Sequence, residues 1–248
     1  NIAYVKWDMN RIFSDYYSKY LKAQGRPQGE TAHRYVMALG RVMRTLTERF
    51  PHILFEGCAA GGNRFDLGIL CYFPQIWASD NTDAVSRAYI QEGLSYGYPM
   101  STVSAHVSVC PNHQTLRVTP LSTRFNVAAF GICGYECNLV DMSRAERSEI
   151  KTQIDIYKKW RHAMQFGSFY RQRTGNIHQW TVVDEEAGRA VGLIMQELVR
   201  ANTQNEEYYA AGLDPEAVYS FYNRPLKHNV KEFGDLINTV APLSLIHI

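Results

Sequence analysis

No apolar run in these 248 residues approaches the roughly 20 that a membrane-spanning helix needs, and the N-terminus carries no basic-then-apolar signal pattern. A membrane partner is therefore not expected. The charges nearly balance: 26 Lys and Arg stand against 24 Asp and Glu, a net charge of +2. They are interspersed, so there is no basic stripe of the kind that tracks a nucleic-acid backbone. Cysteine is scarce, five in all and without the spacing of a disulfide scaffold, which reads as reduced thiols in the cytoplasm. Cys133 and Cys137 lie four apart with no second pair after them, and read as core or rim cysteines rather than metal ligands. Internal repeats and low-complexity segments are missing too. So is a leading Met: the chain starts at Asn1, directly on a strand-like run, and is expected to be a piece of a longer one.

What is present is 46% apolar residues, enough to bury a sizeable core in one large domain or two ordinary ones. The most informative stretch is Phe55–Ala84. Two short apolar runs, His52–Glu56 and Gln75–Ser79, deliver Cys58-Ala-Ala-Gly-Gly and Asp80-Asn-Thr-Asp where a strand should give way to a loop. Barrels of alternating strands and helices carry their chemistry at such strand ends. Asp80 and Asp83 are equally residues that open turns and cap helices, and from spacing alone both readings stand. Asp83, at the start of the helical pattern Asp83–Tyr96, fits a cap better than a catalyst. In Tyr4-Val-Lys-Trp-Asp-Met-Asn-Arg11 the alternation of a strand points Lys6 and Asp8 to one side, with Tyr4 below them and Asn10 beyond. A structural ion pair between Lys6 and Asp8 is the plain alternative.

Apolar residues at helical spacing (Tyr35, Val36, Leu39, Val42, Met43, Leu46) predict a helix over His33–Arg49. A strand over Thr102–Val109, a helix over Thr119–Gly131 and a strand over Ile132–Asn138 continue the alternation, making about five strands in all. His106 and His113 have no partner at metal-ligand spacing and read as structural. Ser143 with Glu146 forms a capping-box pattern opening a helix to about Phe166. Beyond Gly167 the character changes to short β-like segments, Ser168–Arg171, His178–Val183 and Arg189–Leu198, separated by turn residues. The tail Leu243–Ile248 reads either as a native strand or as a read-through or assembly artefact.

The wording of several stretches resembles glycoside hydrolase family 36, the bacterial α-galactosidases. The match lies in Lys6-Trp-Asp-Met-Asn-Arg11, in Cys58 with the glycines and Arg64-Phe-Asp, and in Pro74-Gln-Ile-Trp-Ala-Ser-Asp-Asn-Thr-Asp83. It continues through Ala105-His-Val-Ser, Pro111-Asn-His-Gln-Thr, Arg117-Val-Thr-Pro-Leu and Gly134-Tyr-Glu, and more weakly in Leu213-Asp-Pro-Glu-Ala-Val-Tyr and Phe233-Gly-Asp-Leu-Ile-Asn.

The resemblance implies a partial (β/α)₈ barrel, about strands four to eight, over residues 1–167. An incomplete antiparallel β-sandwich would follow over 168–248. It implies Asp8 as catalytic nucleophile and Asp80 as acid/base, with Lys6, Trp7, Asn10, Cys58 and Gly61 binding the sugar. Retaining hydrolysis of terminal α-galactosyl residues, as in melibiose, raffinose and stachyose, would need neither metal nor cofactor. The full-length protein is then expected to be a cytoplasmic homo-tetramer, and this stretch alone to be inactive for want of the first three strands. A raffinose-synthase-like galactosyl transferase and an inert sugar-binding fragment are the alternatives. Where many members read Cys-Ser-Gly-Gly-Gly-Gly-Arg, Ala59, Ala60 and Asn63 stand here, which bears on fine specificity rather than on the reaction.

Overall fold

The computed structural model describes residues 2–10, 14–198, 207–224 and 245–247. Arg11, the Phe233–Asn238 phrase and three residues of the tail, Leu243, Ser244 and Ile248, lie outside the described residues. The chain forms two compact units, Asn1–Asp80 and Asn81–Ile248.

In the first unit, β1 (Tyr4–Asp8), β2 (Leu54–Cys58) and β3 (Gln75–Trp77) run parallel in chain order. The register sets Lys6 opposite Glu56, Asp8 opposite Cys58, and Glu56 opposite Gln75. Parallel neighbours need a crossover, supplied between β1 and β2 by α1 (Lys19–Ala23) and the 20-residue α2 (Glu30–Arg49), and between β2 and β3 by the single turn α3 (Leu67–Leu70). Met43, Phe55, Ile69, Phe73 and Ile76 are the buried core. The Phe55 and Phe73 rings stack at 5.3 Å, and each such buried side chain contributes about 1.5–3 kcal/mol by leaving water.

The apolar stripe of α2 is narrower than its sequence suggests. Leu39 and Leu46 join Met43 against the core, whereas Val36 and Val42 are exposed. At 100° per residue Val42 faces sideways from Met43, and Val36, two turns earlier, lies off the end of the cluster.

The second unit opens on α4 (Ala84–Leu94). Asp83 is its N-cap: Oδ2 accepts from the Ser86 amide at 3.1 Å and from the Ser86 hydroxyl at 3.1 Å, and meets Arg117 Nε at 3.2 Å. The capping expectation for Asp83 is met. β4 (Val103–Ser108) and β5 (Ile132–Glu136) pair in parallel around α5 (Leu121–Ala128). α6 (Arg144–Phe166) begins with the expected capping box, Ser143 Oγ accepting from the Glu146 amide at 3.2 Å and Glu146 Oε2 from the Ser143 amide at 2.9 Å.

After Gly167 come β6 (Ser168–Thr174), β7 (Ile177–Asp184) and β8 (Arg189–Gln196), antiparallel throughout. The short β9 (Tyr222–Asn223) and β10 (Leu245–His247) complete a sheet of order β6-β7-β8-β10-β9. Trp180 is fully buried on β7, edge-on to Phe130 at 5.3 Å and to Phe169 at 5.7 Å.

Beside Trp180, the fully buried His178 bridges two carboxylates. Nδ1 is 2.9 Å from Glu92 Oε2 of α4, and Nε2 is 2.9 Å from Glu197 Oε1 just past β8. Trp180 Nε1 also donates to Glu92, at 3.2 Å, and the Tyr89 hydroxyl donates to Glu197. Burial pushes the Glu197 carboxyl up, but the bonds from Tyr89 and His178 outweigh it and hold it below the usual carboxylate range. A carboxyl whose folded value is depressed contributes stability above its unfolded value, near pH 4.3, and loses that contribution as pH falls through the folded value. Glu197→Gln is accordingly expected to lower Tm at neutral pH and to flatten the fall of Tm below about pH 4.5. Thermal unfolding across that range checks both.

Candidate active site

The side chains singled out in the sequence gather at the carboxyl end of the first unit's sheet, in two layers. Strand alternation puts Tyr4, Lys6 and Asp8 on one face of β1 and Val5 and Trp7 on the other.

The lower layer is organised by Glu56, only 2% exposed. Its Oε2 accepts from the Tyr4 hydroxyl and, at 3.1 Å, from Gln75 Nε2, while Lys6 Nζ stands 3.5 Å from Oε1. Gln75 Nε2 also donates to Tyr4 Oη at 2.6 Å, so residues of β1, β2 and β3 close a small network. Burial and the neighbouring Glu56 charge push the Tyr4 phenol far above its ordinary value, which leaves it a hydrogen-bond donor at any working pH.

The upper layer holds the two predicted catalytic carboxylates. Asp8 Oδ2 accepts from Asn10 Nδ2 at 3.0 Å, and Asn10 Oδ1 accepts from the Ala60 amide at 2.5 Å. The amide side chain thus ties the end of β1 to the loop after β2. Cys58, opposite Asp8 in register, is buried; desolvation first, and the Asp8 carboxylate second, push its thiol up to about 11 against the opposing pull of the Gly61 amide. It is a neutral thiol beside the carboxylate, not a nucleophile. Asp80, three residues past β3, accepts at Oδ1 from Trp77 Nε1 at 3.0 Å. The Lys6 ammonium lies 4.3 Å from the centroid of the same indole, within the reach of a cation–π contact.

The loop from Cys58 to Asn63 draws these parts together. Arg64 Nη2 donates to the Cys58 carbonyl at 2.6 Å, and Ala60 and Gly61 have φ of 46° and 77°. Gly61 is required twice over: its φ suits glycine, and a Cβ there would lie 2.8 Å from Ser79 Cα and 3.1 Å from the Asp80 amide nitrogen. Backbone therefore packs on backbone at the point where Asp80 leaves β3.

Six of the seven predicted residues, Lys6, Asp8, Asn10, Cys58, Gly61 and Asp80, are connected by these contacts. Trp7 is the exception and a correction. Its ring points to the helix side of β1, 5.8 Å from Phe73, and packs on the core, because adjacent residues of a strand face opposite ways. A second correction concerns Lys6, whose carboxylate partner is Glu56 and not Asp8. Glu56, Gln75 and Trp77 were not singled out by sequence reasoning; a charged residue inside an apolar strand is the signal that marks Glu56. His106, with Nδ1 3.4 Å from Glu136 Oε2, and the exposed His113 belong to the second unit. Among the described residues no cluster of His, Cys, Asp and Glu could hold a metal ion, and no helix is long and apolar enough to cross a membrane.

The melibiase family model matches residues 1–167, and the model of the glycosyl hydrolase family 36 C-terminal domain matches 177–238. The chain belongs to the melibiase family. Similar proteins include α-galactosidase 1 of Pediococcus pentosaceus, 46% identical over 221 residues, which are 88% of this chain and 30% of that protein. Among solved structures, a substituted form of the family 36 α-galactosidase AgaA from Geobacillus stearothermophilus in complex with raffinose superposes with a TM-score of 0.82 at 46% identity, covering 86% of this chain and 30% of that one. The α-galactosidase of Lactobacillus brevis gives 0.84 at 37%, covering 99% and 35%. This chain thus spans about 30% of the length of the relatives it matches. The melibiase fold, a half-barrel of five parallel strands followed by an antiparallel sheet, agrees with the fold class expected from the sequence.

In this chain, Gly61→Ala is expected to cost about 1–3 kcal/mol through overpacking against backbone that cannot step aside. Gly25→Ala, which has a φ of 65° but open space around it, removes the strain at Gly61 from the comparison. Denaturant midpoints of the two variants measure the difference, with Gly61→Ala lower.

Proposed function

We propose that this chain carries the catalytic carboxylates of a retaining α-galactosidase. The single observation behind this reading is that Asp8 and Asp80, at the ends of two strands of one sheet, belong to one connected set of contacts with Lys6, Asn10, Cys58 and Gly61. Retention needs one carboxylate to attack the anomeric carbon and a second to protonate the departing oxygen. Asp8 takes the first role and forms a β-linked galactosyl ester as the glycosidic bond breaks. Asp80 takes the second, gives its proton to the leaving oxygen, and then removes a proton from the water that hydrolyses the ester. Asn10, bonded to both Asp8 and the Ala60 amide, holds the nucleophile's carboxylate in place. Lys6 and Asn10 present donors to sugar hydroxyls, and Cys58 and Gly61 form the wall that admits them.

The substrates are terminal, non-reducing α-1,6-linked galactose units, as in melibiose, raffinose and stachyose. Support comes from the raffinose complex of the Geobacillus relative and from the identity of this chain to it. The complete protein is proposed to be cytoplasmic, consistent with five free cysteines, and to assemble as a homo-tetramer, as the family resemblance implies; light scattering of the complete protein would give four chain masses.

The roles are tested by azide rescue in the complete protein. Asp8→Ala is expected to lose at least about 10²-fold in turnover of an aryl α-galactoside, and azide should restore it as β-galactosyl azide, since a small anion fills the nucleophile's place and attacks from its face. Asp80→Ala should keep the first step on an activated aryl leaving group, which needs little protonation, and yield α-galactosyl azide. The reverse pattern of products would exchange the two assignments.

A further inference from the structure

We propose that Trp77 is a positioning residue for Asp80: its indole N–H occupies Oδ1, so that Oδ2 is the oxygen that carries the proton to and from the substrate. The inference rests on the reading of Asp80 as acid/base and adds to it a residue whose role is orientation.

The geometry is specific. Trp77 is the last residue of β3, 3% exposed, and its Nε1 lies 3.0 Å from Asp80 Oδ1. Indole nitrogen is a donor only. The carbonyl oxygen of a neutral carboxylic acid accepts better than its hydroxyl oxygen, so the N–H at Oδ1 favours the proton on Oδ2. The donor stays in place when Asp80 ionises, and its bond then strengthens because the acceptor is charged. One contact therefore serves both half-reactions. In the first, the proton leaves Oδ2 for the glycosidic oxygen as the anomeric carbon–oxygen bond breaks and the bond to Asp8 forms. In the second, a water proton returns to Oδ2 as the water oxygen attacks that carbon and Asp8 departs.

The indole is itself held. Lys6 Nζ stands 4.3 Å from its ring centroid, and Glu56, buried and 3.5 Å from that ammonium, keeps the cation where it is. A cation over the ring face draws electron density from the indole and makes its N–H a better donor. On the other side, the close approach of Gly61 to Ser79 and Asp80 fixes the backbone that carries the carboxylate. The strand end, the ring and the loop thus leave Asp80 few ways to turn.

The test uses the complete enzyme with two replacements that remove the N–H. Trp77→Phe keeps an aromatic ring, and 3-benzothienylalanine placed at position 77 keeps the indole's shape with sulfur in place of nitrogen, so loss of packing cannot account for a shared effect. Values of kcat/KM, which report steps up to formation of the galactosyl-enzyme, are compared on raffinose and on 2,4-dinitrophenyl α-galactoside. Raffinose has a sugar leaving group that must be protonated, and a misdirected acid is expected to slow it by at least about tenfold. The dinitrophenolate leaves unprotonated and should change by less than about threefold. An equal loss on both substrates, or no loss on either, overturns the positioning role while leaving the galactosidase reading intact. A wild-type enzyme without activity on either galactoside overturns the reading and the inference together.

Discussion

A buried carboxylate at Glu56 is the constraint on which the first unit depends. Taking an ionised group out of water costs several kcal/mol unless partners replace the lost solvent. Three of them do so here, Tyr4 and Lys6 from β1 and Gln75 from β3. Glu56 sits on β2 between those strands, so these contacts fix both neighbours at once. A one-residue slip of either would turn the partners to the opposite face and leave the carboxylate uncompensated. The register that avoids this also sets Asp8 beside Cys58, one layer nearer the strand ends. The site's position is therefore settled from beneath, by the contacts that Glu56 makes with both neighbouring strands.

The second carboxylate is placed by a different device. Asp80 is beyond the end of its strand, where ladder hydrogen bonds no longer hold it. Close packing takes over: Gly61 against Ser79 and Asp80, and Gly62 with a hypothetical Cβ 2.8 Å from the Ala78 carbonyl oxygen. Such an approach excludes side chains on the loop face, and it makes the loop after β2 and the exit of β3 a single piece of backbone. Ala60, at a φ of 46°, carries some strain in that loop. Its amide is the one bonded to Asn10, so the unusual backbone angle sits at the point where the loop meets the nucleophile's strand.

Much of the fold was legible because it depends on local signals. The Ser143–Glu146 capping box, the cap at Asp83 and the five parallel strands all follow from patterns a few residues long. What escaped depends on register or on shortness. The run His52–Glu56 suggested a strand ending at Glu56, whereas β2 is Leu54–Cys58 and puts Glu56 at its centre; two residues of error turned the organising carboxylate into an apparent strand end. Trp7 was drawn into the site by its motif, although alternation assigns it to the core with Phe73. Trp77 lies within a stretch that reads as the approach to Asp80, and its contact with that residue depends on the turn after β3. Helices α1 and α3, five and four residues long, are too short for any periodicity to show.

The pairing of Lys6 with Glu56 bears on how such a site would work. A lysine two residues before the nucleophile invites the idea that its charge neutralises Asp8. The ammonium is instead bound to a carboxylate one layer down and lies over an indole, while Asp8 receives a neutral amide from Asn10 and stands beside a neutral thiol. Among the described residues, the contacts of Asp8 with Asn10 and Cys58 orient it through neutral groups. On the proposed mechanism the transition state carries positive charge on the sugar, and the Asp8 carboxylate is the group placed to stabilise it before the bond to carbon is complete. Lys6, anchored by the buried Glu56, supports the arrangement on the other side through Trp77, whose indole meets both the ammonium and Asp80.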